Sequence, residues 1–123
     1  VSHFYDDLID RDKEVPDAHI HAAFWKLLVA IPTNPFYRAF ESQIRPVLIC
    51  GILNWHAANE MEKTGKPEEL AISHVVRHSA GDIALLIMAL ACGQDHAVAN
   101  ARRMRLLTQT GTLQQYLKEH LHA

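Results

Sequence analysis

The chain has 123 residues, enough for one domain with little room for a second. A hydrophobic share of 49% and a charged share of 21% are those of an ordinary globular protein and argue against disorder. The formal net charge of -2 supplies no basic field to neutralise phosphates, which disfavours nucleic acid as a partner, and the lone basic run Arg102, Arg103, Arg105 reads as a solvated helix face.

The N-terminus is acidic and lacks the apolar core of a signal peptide, while the start at Val1 leaves room for a preceding segment. Phe4 to Arg11 is expected as a short peripheral helix. A second helix is expected from about Asp17 to Ala30. Its residues Phe24, Leu27, Leu28 and Ile31 recur at three- and four-residue spacing, the pattern of a face that packs inward. Asn34 is a good N-cap and Pro35 suits the first helical position, so a third helix starts there and runs to about Lys63. Pro46 lies inside it and is expected to bend it. Val47 to Leu53 is apolar on every side apart from Gly51, which points to a central position.

Lys63-Thr64-Gly65-Lys66-Pro67 forms the next turn, and Pro67 with Glu68 and Glu69 opens a fourth helix reaching Cys92. Its strictly apolar run, Ile83 to Cys92, has ten residues, about half of what a bilayer needs, and reads as a buried helix. Gly93 ends it, Asp95 is expected to cap a fifth helix from about His96 to Leu107, and Thr112 begins a last one through Leu121. Alternating strand patterns and hairpin turns are absent. The expectation is an all-α, single-domain helical bundle of about five to six helices, with helices three and four central and antiparallel. Cys50 and Cys92 fall in apolar helical runs and are expected as reduced core thiols, which favours the cytoplasm.

Nine histidines are the unusual feature of the composition. On the fourth helix His74, His78 and Asp82 follow at i, i+4 and i+8 and share a face, with Arg77 beside them. On the third, His56 and Glu60 are at i, i+4, flanked by Asn54, Trp55, Asn59 and Glu62. A short turn between the two helices would set His56/Glu60 level with His74/His78. His56, Asn59, Glu60, Arg77, His78 and Asp82 therefore form a candidate polar cluster. His56, Glu60, His74, His78 and Asp82 are candidate ligands for a divalent transition metal, with Arg77 steadying an anionic substrate. Nine histidines also generate many accidental pairs at this spacing, so hydrogen-bonded structure is the preferred reading.

The His-x3-Glu of His56/Glu60 and the His-x3-His of His74/His78 are similar to the iron ligands of the hemerythrin family, with His21 in the place of an earlier lone histidine. That family's later His-x4-Asp has no counterpart here, so the ligand set is incomplete. The succession Asn34-Pro35-Phe36-Tyr37, Asn54-Trp55-His56, Asn59-Glu60-Met61-Glu62, Arg77 with Asp82, Cys92-Gly93 and Tyr116 to His120 resembles small helical proteins of phage and prophage genomes. That resemblance implies no activity.

Gly-rich phosphate loops, nucleophile elbows, His-Glu-x-x-His and Cys-x-x-Cys motifs are all missing. The acidic clusters of all-α pyrophosphohydrolases carry a Glu-x-x-Glu pattern that this chain lacks. The sequence thus points to a soluble helical protein-interaction or structural module, expected to pair with itself as a homodimer. The alternative is a metal-binding helical protein, hydrolytic in one version, built on the cluster between helices three and four.

Overall fold

Asn34 accepts a hydrogen bond from the Tyr37 amide at 3.1 Å, Pro35 takes the first helical position, and a helix starts where these two residues dictate. The computed structural model describes residues 14–121. Phe4 to Arg11 lies outside them. The described residues are all-helical and contain no strand. In chain order the elements are α1 (Asp17–Trp25), a π-helical turn (Lys26–Ala30), one α turn (Ile31–Thr33), α2 (Pro35–Thr64), α3 (Pro67–Val76), α4 (Ala80–Cys92), α5 (Gln94–Thr108) and α6 (Leu113–His120).

Close approaches sort the chain into two units, Val1–Glu41 and Ser42–Ala123. In the first, Ala23 is buried, whereas Phe24, Leu27, Leu28 and Ile31 are exposed. The inward face expected of these residues does not form. A π-helical turn, Lys26–Ala30, falls within this stretch.

α2 carries a residue outside helical geometry, Phe40 (φ -118°, ψ 18°), and this stands upstream of Pro46 rather than at it.

In the second unit hydrogen bonds join α2 to α3 and to the turn that follows it. The carbonyl of Ala58 accepts from Ser73 Oγ at 3.1 Å and that of Gly51 from Ser79 Oγ at 3.5 Å. Small residues permit this approach: a Cβ added at Gly51 would stand 3.4 Å from Ser79 Oγ. Gly65, at φ +64°, closes the preceding helix in the left-handed conformation that suits glycine. The buried apolar side chains of this unit are Ile44, Ala58, Leu70 and Met88. Val47 to Leu53 is not the central segment expected, because Ile49, Ile52 and Leu53 are 51%, 57% and 62% exposed. Cys50 and Cys92 are likewise exposed free thiols rather than core residues. An apolar run fixes what a helix would bury, not whether a neighbouring helix arrives to bury it.

By length and composition alone, the 26 residues of Pro67–Cys92 would suffice to cross a membrane, more than the ten strictly apolar residues suggest. The stretch is interrupted. Residues 77–79 form a turn in which His78, Gly81 and Asp82 each donate to a carbonyl three residues back, separating α3 from α4. α4 then packs closely against α5: a Cβ at Gly81 would lie 2.7 Å from Arg105 Nη1 and from Thr108 Oγ1. Gly93, at φ +91°, joins these two helices. Asp95 sits in the first turn of α5 instead of capping it, where its charge favours the helix N-terminus. Thr112 does cap α6, accepting from the Gln115 amide at 3.1 Å.

Candidate functional site

Interrupting a helix frees carbonyls that need new partners. At the end of α3 the carbonyl of His74 is such a group, since the His78 amide turns to Val75 instead. Two side chains take it over: His78 Nδ1 lies 2.8 Å away and Gln109 Nε2 donates at 2.8 Å. The other ring nitrogen of His78, Nε2, is 2.7 Å from Thr110 Oγ1. The turn after α3 is thereby tied to the segment that follows α5, and that segment delivers α6.

α6 lays Tyr116 onto α3. The Tyr116 hydroxyl stands 2.6 Å from Ser73 Oγ and donates to Glu62 Oε1 at 2.7 Å. Two hydroxyl hydrogens serve three contacts here. Charge assistance directs the tyrosine hydrogen to the Glu62 carboxylate, leaving the serine hydrogen for the tyrosine oxygen or the Ala58 carbonyl. Glu62 also pairs through Oε2 with Arg77 Nη2 at 2.8 Å, and Arg77 Nη2 donates to Asn59 Oδ1 at 2.8 Å. His120, one turn beyond Tyr116, brings Nε2 to 3.4 Å from Glu62 Oε1 and sets its ring 4.6 Å from the tyrosine ring at a tilt of 45°.

His74 is packed beside this network, 6% exposed, with its ring centre 4.9 Å from Tyr116 and 5.6 Å from His78. Its Nδ1 is buried and has no hydrogen-bond partner among the described residues. Burial pushes the imidazole below its ordinary pKa, and the neighbouring His78 adds to the shift. Burial pushes the Tyr116 phenol above its ordinary value; the hydrogen bond from Ser73 opposes this and the Glu62 charge reinforces it.

The structure thus gathers Asn59, Arg77, His78 and His74 from the expected set, and it leaves out three others. His56 and Glu60 are exposed on the opposite side of α2 from Ala58; Glu60 pairs with Lys63 at 2.9 Å, and that ammonium holds its carboxyl below the usual value. Asp82 lies beyond the turn at residues 77–79 and binds Arg105 at 2.6 Å. The face shared by His74, His78 and Asp82 required one unbroken helix, and the turn removes it. Among the described residues no group of three histidine, cysteine or carboxylate side chains comes close enough together to hold a metal ion. The five-ligand metal set is therefore not assembled.

Glu62, Ser73, Gln109, Thr110, Tyr116 and His120 complete the cluster and were assigned to it by no sequence pattern. Glu62 was within reach, because it falls one turn beyond Ala58 on the face that meets α3. The other five depend on the return of α6, which no local spacing reveals.

Chemically the cluster suits fastening better than catalysis. Ser73 is 0% exposed and sealed from any substrate. A phenol with a raised pKa stays protonated at neutral pH and is a poor base there. The arrangement clasps α6 to α2 and α3. No known protein family, no curated protein and no solved structure matches this chain.

Proposed function

We propose that this chain is a helical protein-interaction module that associates with a second copy of itself, built as a bundle around the antiparallel pair α2 and α3. The observation that carries the reading is the apolar surface on α2 of the second unit. Ile49, Ile52 and Leu53 recur at i, i+3 and i+4 on the side of the helix opposite Gly51 and Ala58, and all three are exposed. Isolated exposed apolar residues are ordinary, but three adjacent ones on two helical turns make a patch that water disfavours. Ile72 and Val75 on α3 add a further exposed pair one turn apart. A module of this type needs no catalytic constellation, and the buried cluster serves it by holding the terminal helix in place. Sedimentation of the purified chain at micromolar concentration tests the reading. The mass of two chains is expected. A monomer across the accessible concentration range overturns it.

A further inference from the structure

α6 has eight residues, and none of its side chains is fully buried. A helix of about two turns is marginal in water unless it is docked, so α6 is the segment that opens at least cost. It is seated through Tyr116, whose ring lies 4.9 Å from that of His74 and whose hydroxyl meets Ser73 and Glu62.

Of the three imidazoles gathered here, two accommodate a proton. His78 directs Nδ1 to the His74 carbonyl and holds Nε2 2.7 Å from Thr110 Oγ1, a hydroxyl able to accept as well as donate. His120 lies 3.4 Å from Glu62 and 4.0 Å from Glu119, so a positive charge on it tightens the docking of α6. His74 differs from both. Its ring is 6% exposed, and its Nδ1 has no hydrogen-bond partner among the described residues. The groups around it offer a cation nothing. His78 stands 5.6 Å away, Arg77 on the same helix is already positive, and Tyr116 on α6 is a neutral phenol. Glu62 on α2 engages Tyr116 with one oxygen and Arg77 with the other.

We infer that α6 is an acid-sensitive latch: a proton taken up by His74 releases α6 from α3 while α2 stays joined to α3. Release brings the ring to water, where its charge is solvated, so proton uptake and opening favour each other. Burial holds the docked imidazole below its ordinary 6.5, so the docked state binds fewer protons than the released one. The latch is therefore closed above 6.5 and loosens as pH falls through the lowered value. The bonds of Ser73 to Ala58 and of Ser79 to Gly51 involve no group that titrates in this range, which leaves α2 in place. The latch does not depend on self-association.

Hydrogen exchange at pH 7.5 and 5, corrected for the chemical rate at each pH, reads the latch. In the wild type the protection of Leu113–His120 is expected to fall at least about fivefold relative to that of residues 52–60, the effect of leaving one buried donor unsatisfied. In His74→Gln, which stays neutral, the ratio is expected to hold constant. A constant ratio in the wild type overturns the latch, whether both helices stay protected or both lose protection together. A fall that persists in His74→Gln assigns release to another group and overturns it equally. Should circular dichroism show that His74→Gln does not fold, a nuclear magnetic resonance titration of the wild-type imidazole decides instead. Its midpoint must coincide with the loss of α6 protection, and separate midpoints overturn the inference.

Discussion

Tyr116 donates its hydroxyl hydrogen to Glu62 Oε1 at 2.7 Å across 54 residues of sequence. The contact joins the last helix to the end of α2, and Ser73 at 2.6 Å makes α3 a third party. A carboxylate that receives Tyr116, Arg77 and His120 is the hub on which the placement of α6 depends.

Tyr116→Phe keeps the ring and removes the hydroxyl. Ser73 and Glu62 then lose a partner in a partly buried setting, which costs about 1–3 kcal/mol. Chemical denaturation measures the loss, and hydrogen exchange should show the amides of Leu113–His120 exposed first. Unchanged protection in α6 would mean that its docking depends on other contacts.

Glu62→Gln removes the carboxylate that pairs with the Arg77 guanidinium, which is 15% exposed. Removing one side of a largely buried pair costs about 3 kcal/mol, somewhat less here because glutamine retains an acceptor. A double-mutant cycle with Tyr116→Phe should return a coupling of about 1 kcal/mol, because both changes act on one network. Strict additivity would show that the tyrosine and arginine contacts are independent.

The His74 imidazole has a folded-state pKa below its ordinary 6.5, so the folded chain binds fewer protons near that pH than the unfolded chain. Its contribution to stability is fully present above 6.5 and is lost as pH falls through the lowered value. Urea midpoints at pH 7.5 and 5 should therefore drop more steeply for the wild type than for His74→Gln. Equal slopes in the two proteins would assign the acid sensitivity to other groups.

Gly93 has φ +91° and ψ 166°, a conformation essentially confined to glycine. Nothing lies within 4 Å of a Cβ built there, so the expected cost of Gly93→Ala, about 1–3 kcal/mol, arises from backbone strain alone. A thermal shift smaller than that of a surface alanine substitution elsewhere in α5 would contradict this origin.

The sequence by itself determined several of the helix starts and stops. Asn34 with Pro35, Pro67 with its two glutamates, Gly93 and Thr112 act within one turn of themselves, so their effect is readable without the rest of the chain. The all-helical class follows from the same local preferences. Tertiary structure decided everything that depends on which faces meet. Local spacing put His56, Glu60 and Asp82 in a cluster with His74, yet the small residues Gly51, Ala58 and Ser73 set which side of α2 approaches α3, and that side carries Asn59 and Glu62 instead. The turn at residues 77–79 moved Asp82 to Arg105, and the return of α6 brought in Tyr116 from the far end of the chain. Hydrophobic runs at Val47–Leu53 and around Cys92 state how much surface a helix would bury. Burial itself needs a partner surface, and the identity of that partner is a property of the assembled molecule, not of the segment.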